Sequence, residues 1–292
     1  MLHFAKPISD QQMKYVKSLK IKNDAKRVFY KKGTCSRTFF YLLNREYKHP
    51  MDDEEKAVDP LAGGILQHGY QCGMLWGASL AVGAESHRRC ENPDKANALA
   101  IIATQNVMRS FKEKTGSHDC VDITRTDFKN KWSFAKYMFS GKFFHCFKLA
   151  GQWGPIAYDA TDEGLSTDLD KLPDKCLSCS SELIKKMGGS DQEAAIVAGL
   201  AGGMGLSGNA CGALGAAIWW ISLKKVRESN KRTSMNDNDL EQLILKFYEV
   251  TDYEMECKKI TKQDFNSLDE HTEYVQNGGC KELIEILANA GL

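Results

Sequence analysis

LAGGILQHGYQCGMLWGA at 61–78 aligns without a gap on LAGGMGLSGNACGALGAA at 200–217. The alignment sets Gly63, Gly64, Gly69, Cys72 and Gly73 on Gly202, Gly203, Gly208, Cys211 and Gly212, an offset of 139. Self-similarity of this kind governs how the rest of a chain is read, because each copy must be the same structural unit. A second anchor follows. CVDITRTDF at 120–128 matches CKKITKQDF at 257–265, with the offset reduced to 137 by a short deletion. Before the first anchor, TCSRTFFYLL at 34–43 corresponds to SCSSELIKKM at 178–187. Beyond the second, Cys146 in GKFFHCFKLA corresponds to Cys280 in NGGCKELIEIL.

Each copy therefore carries four cysteines in one order: Cys35, Cys72, Cys120 and Cys146, then Cys179, Cys211, Cys257 and Cys280. Of ten cysteines, only Cys90 and Cys176 stand outside. The 292 residues divide into a basic extension (1–33), a first unit (34–150), an acidic connection (151–175) and a second unit (176–292).

The periodicity is helical. SSELIKKMGG, DLEQLILKFYEV and CKELIEILANAG place apolar residues at steps of three and four, with Gly188 and Gly291 in C-terminal positions. Asp191 is expected to cap EAAIVAGLA, and Asn238 or Asp239 the helix carrying Leu243, Ile244 and Phe247. No run of strands is visible. The expected fold is all-α: two tandem homologous helical domains packed as a pseudo-dimer. The connection is placed at 151–175 because Gly154, Pro155 and Pro173 interrupt an acidic stretch there.

Charge and hydropathy exclude several classes. Thirty-nine Lys and Arg against 38 Asp and Glu leave +1, so nothing global favours nucleic acid. Nine of the first 32 residues are Lys or Arg, read as a solvated helix face with Met13, Val16 and Leu19 on the other side. Ala194 to Leu223 lacks any charge over 30 positions, which invites a membrane span, but seven glycines and GGMGLSGN in its middle make two short buried helices around a corner. In the first copy the same segment contains His68 and Gln71, poor material for a bilayer. No secretory leader is evident at the start, so a reducing, cytoplasmic location is expected, with thiols free for metal or redox chemistry. GxxxxGK[ST], HExxH and GxSxG do not occur.

Four thiols per unit match the ligand count of an iron–sulfur cluster and of tetrahedral zinc. The cysteines are 37, 48 and 26 residues apart in the first copy and 32, 46 and 23 in the second, so the whole unit must build the site. Packing alone is the plain alternative, since free Cys is a common core residue, but it gives no reason to keep all four in both copies. CLSC at 176–179 lacks the strand that a thioredoxin-like motif needs. Cys176 is read as an accessory or surface thiol, and Cys90, in ESHRRCENPD, as exposed in a polar loop. His145 has no counterpart in the second copy and is left out of the site.

The order Cys35, Cys72-Gly73, Cys120, Cys146 and its repeat Cys179, Cys211-Gly212-Ala213, Cys257, Cys280 resembles the redox-active protein family named for its C-GCAxxG-C-C pattern, a module similar to part of the split-Soret cytochromes. The resemblance covers about 34–150 and 176–292. Met74 replaces the motif's Ala in the first copy, and Ala216 its last Gly in the second. The resemblance implies a helical redox module in each half, holding an iron–sulfur cluster through its four cysteines, two per chain. From the duplicated cysteines the expected role is electron transfer or redox sensing, with an unknown redox partner protein and scope for homo-oligomers. The residues leave two other readings open: a thiol–disulfide oxidoreductase led by Cys72 and Cys211, and a zinc-stabilised interaction module.

Overall fold

The computed structural model describes residues 24–290. The helix face expected around Met13 to Leu19, and Gly291, lie outside them. The regular elements of the described residues are all helices, and Gln71 and Asp119 form an isolated antiparallel bridge. After a helical stretch at 24–32 (α1), the first repeat runs α2 (Cys35–Glu46), α3 (Asp52–Ala57), a 3-10 turn (Asp59–Leu61), α4 (Gly73–Arg89), α5 (Pro93–Thr115), α6 (Cys120–Thr124), α7 (Lys131–Phe139) and α8 (Phe143–Leu165). The second follows the same order: α9 (Cys179–Lys186), α10 (Asp191–Ile196), a 3-10 turn (Ala198–Leu200), α11 (Gly212–Ser229), α12 (Asn238–Val250), α13 (Cys257–Thr261), α14 (Leu268–Gln276) and α15 (Lys281–Ala290). The duplication read from the cysteines is thus a duplication of architecture.

Local chemistry sets the helix ends. Asn92 accepts from the N–H groups of Asp94 and Lys95, Pro93 occupies the first turn, and Gly116 at φ +79° ends α5. Ser190 and Glu193 form a capping box on α10. The cap of α10 is therefore Ser190 and not Asp191, and that of α12 is Asp237, one residue before the expected pair. Because each true cap lies at the extended residue just before the turn, neighbouring Asp and Asn side chains make the sequence signal degenerate.

The two repeats pack as a pseudo-dimer. α4 lies against α10 of the second repeat, and α11 against α3 of the first; this reciprocity is what a two-fold interface requires. Gly83 lets α4 approach the carbonyls of Ala195 and Ile196, and the Trp219 indole N–H donates to the Glu54 carbonyl at 3.3 Å. Positions 73–86 of α4 and 212–223 of α11 are all buried. Each central helix is therefore covered all round, which accounts for its lack of a polar face. Among the described residues no helix is long and apolar enough to cross a membrane. The uncharged stretch from Ala194 is divided into α10, a 3-10 turn, a tight loop and α11.

The acidic connection is shorter than expected. α8 continues to Leu165 with Pro155 inside it, so residues 151–165 belong to the first repeat's longest helical pair, α5 with α8. Gly164 permits contact with the Ala103 backbone, and Trp153, fully buried between Phe39 and Phe111, fixes the helix on the core. That burial overrides the breaker signal of Gly154-Pro155.

Candidate functional site

Each site cysteine stands at or near a helix start. Cys35 and Cys179 are the first residues of α2 and α9, Cys72 and Cys211 cap α4 and α11, and Cys120 and Cys257 open α6 and α13. Cys146 lies in the first turn of α8, and Cys280 immediately precedes α15. The fold thereby brings residues more than a hundred positions apart within electrostatic reach of one another in each repeat.

The Gly-rich loop is the device that does this. Five consecutive residues, 63–67, have left-handed φ between +44° and +77°, and residues 202–206 repeat the run between +57° and +83°. Three of the first five are not glycine: Ile65, Leu66 and Gln67. The conformation costs an L-residue about 1–2 kcal/mol, and such strain persists only where the surroundings over-determine it. Here it is held by matching backbone bonds, among them Gly69 N–H to the Gly63 carbonyl at 3.0 Å and Gly208 N–H to the Gly202 carbonyl at 2.9 Å. The turn aims the Gly63 and Gly202 N–H groups at the sulfurs of Cys35 and Cys179. Past it, the loop is clipped to the third cysteine: Val121 N–H bonds to the Gly69 carbonyl and Lys258 N–H to the Gly208 carbonyl. In the first repeat Cys72 N–H also donates to the His118 carbonyl at 2.8 Å, and Cys120 N–H to the Tyr70 carbonyl at 2.7 Å.

The four thiols of a repeat act on one another's charge. Cys35 is hydrogen bonded to Cys72, and Cys120 feels both Cys35 and Cys146; Cys257 feels Cys179, Cys211 and Cys280. The Cys72 bond, followed by N–H groups from Gly63 and Ser36, outweighs burial and holds the Cys35 thiol below its ordinary value. In the second repeat burial opposes ionisation of Cys179, but hydrogen bonding to His271 and the Gly202 N–H prevails and lowers it. The remaining thiols are pushed up. The bond to Cys35, reinforced by burial, raises Cys72, whereas burial is the leading cause for Cys120, for Cys146 at about 11, for Cys211 at about 12, and for Cys257 and Cys280. Each site thus contains one favoured thiolate, in the same position of the repeat.

Two tyrosines complete the sites. The Tyr137 hydroxyl on α7 lies 3.3 Å from the Cys146 sulfur, and the Tyr274 hydroxyl on α14, beside Cys280, donates to the Gly279 carbonyl at 3.1 Å. They are equivalent at the offset of 137. Continuing the second sequence anchor nine residues further would have found them. His271 falls on Phe134 at that offset, so no repeat signal marked it.

All ten cysteines are free thiols. The donor set suits an iron–sulfur centre: four thiols per repeat, backbone N–H groups aimed at sulfur, and little exposure to water. As they stand, no three described His, Cys, Asp or Glu side chains are placed to hold one metal ion together. Cys90 and Cys176 correct the sequence reading. Cys90 is the C-cap of α4 and is buried, and Cys176 is fully buried, its N–H on the Asp94 carboxylate and its carbonyl receiving the Asn97 amide. Polar neighbours in sequence concealed that both backbones turn inward.

Against this geometry, the family model described as "Putative redox-active protein (C_GCAxxG_C_C)" matches the chain twice, over residues 34–159 and 175–290. No curated protein and no solved structure matches it. With four cysteines on each matched segment and both segments folded alike, the chain belongs to the C_GCAxxG_C_C family of redox-active proteins, as a tandem duplication.

Proposed function

We propose that each repeat holds one cysteine-ligated iron–sulfur cluster and that the protein transfers or senses electrons. The observation that carries this is that the four thiols of each repeat lie within electrostatic reach of one another beside sulfur-directed donors: Gly63 N–H and the Tyr137 hydroxyl in one half, Gly202 N–H in the other. Cys35, Cys72, Cys120 and Cys146 would hold the first cluster, and Cys179, Cys211, Cys257 and Cys280 the second. A bound cluster supplies reversible one-electron storage. The chain's own donors stabilise negative charge on the sulfurs, and burial of α4 and α11 limits access of water.

Anaerobic purification with iron and acid-labile sulfide analysis tests the reading. Iron and sulfide are expected in both halves, with Cys211→Ser losing about half of each, as removal of one of two sites requires. Absence of both after reconstitution overturns it. The Cys35–Cys72 hydrogen bond favours a second reading, a dithiol that cycles with its disulfide. That alternative expects colourless protein and a two-electron titration of the first repeat.

A further inference from the structure

The surfaces beside the two cysteine sites carry different concavities. At the first, a cavity of about 480 Å³ lies between the end of α5, α6 and the start of α8, and is lined by Lys114, Asp122, Arg125, His145, Lys148 and Gln152 among others. His145 adjoins Cys146, and Asp122 lies two residues beyond Cys120, so the cavity reaches the neighbourhood of two of the four thiols. Among the described residues Lys114, Arg125 and Lys148 have no carboxylate partner. The one carboxylate of the lining, Asp122, accepts from the Ser117 hydroxyl at 2.8 Å. Three cations left unneutralised around one concavity raise the local concentration of anions.

The second repeat has a groove at a different place, along α14, that reaches Gly279 beside Cys280. It is about 360 Å³, and its lining contains Glu270 and Glu273 and no cation.

We propose that the first cavity binds a small molecule carrying two or more negative charges, of phosphate or polycarboxylate chemistry, and that the second groove does not. Its volume suits a small organic anion of metabolite size. Three long cationic side chains would grip oxygens from separate directions, and the His145 ring and the Gln152 amide would add further donors. The proposal does not depend on what the cysteines hold.

Calorimetric titration of the full chain with pyrophosphate and, separately, citrate tests it. Saturable binding of one molecule per chain is expected, weakening as sodium chloride is added. Lys114→Gln/Lys148→Gln should weaken it about tenfold, Lys114→Arg/Lys148→Arg should retain it, and Glu270→Gln/Glu273→Gln should leave it unchanged. Preference for pyrophosphate assigns phosphate chemistry, and equal affinity assigns charge alone; both support the site. No saturable binding of either anion, or binding that survives the double Gln substitution, overturns it. Iron content is not a readout here, so failure of the cluster reading and failure of this one are told apart.

Discussion

Trp76 and Gly215 occupy the same position of the two repeats, and they touch: a Cβ on Gly215 would overlap the six-membered ring of Trp76. A position that meets its own equivalent lies on the pseudo-two-fold axis. Two tryptophans there would collide and two glycines would leave a void. The halves have diverged into a knob and a hole, which fits each repeat to the other within one chain.

Trp76→Gly should therefore open a cavity and destabilise the fold by about 3–5 kcal/mol, and Gly215→Trp should be worse tolerated because α4 and α11 cannot separate. The exchange Trp76→Gly/Gly215→Trp should recover part of the loss. Urea unfolding of the four proteins checks this; strict additivity of the two single effects would deny the shared axis.

Gly64 and Gly116 have nearly the same φ, +77° and +79°, in different surroundings. A Cβ at Gly64 meets the Tyr70 backbone, whereas one at Gly116 meets nothing within 4 Å. Gly116→Ala should cost about 1 kcal/mol, from backbone preference alone. Gly64→Ala should cost about 2–3 kcal/mol, since strain is joined by overlap. Thermal unfolding separates the two, and equal losses would remove the second contribution.

Tyr137 is the group that pulls the Cys146 thiol down against burial, leaving it at about 11. Tyr137→Phe removes that hydrogen bond, so Cys146 should rise further and its alkylation in the metal-free protein should slow several-fold at mildly alkaline pH. Cys35, held low by Cys72 and Gly63, should react before Cys146 in both proteins. Peptide mapping after timed alkylation gives the order.

Glu193 is held below the usual carboxylate range: burial opposes this, but the Ser190 N–H and hydroxyl and the Arg227 guanidinium outweigh it. A depressed folded-state value adds stability above the unfolded Glu range, lost as pH falls through the folded value. Glu193→Gln should destabilise by ~1 kcal/mol at neutral pH. The difference from the parent should hold down to about pH 5 and shrink below about pH 4. Melting curves over that interval show whether it does.

The repeat was legible because Gly63, Gly64, Gly69, Cys72 and Gly73 survive together in both copies, and those residues perform the backbone work of the site. Helix positions followed from apolar spacing. What escaped was decided by contacts distant in sequence. α8 runs through Pro155 because Trp153 is buried between Phe39 and Phe111, and Cys90 and Cys176 are buried by helices that their polar neighbours do not announce. The glycines marked a corner, but nothing in Ile65 or Gln67 announced a left-handed backbone, since a β-branched residue disfavours it.

That run has a consequence for chirality. Over residues 63–67 and again over 202–206 the backbone is locally a fragment of the mirror-image protein, built from L-residues and held by its hydrogen bonds to the flanking turns. A D-residue would adopt it without penalty. The loop is thus wound against its own handedness, and the backbone N–H groups it turns toward Cys35 and Cys179 are held there at the expense of that preference.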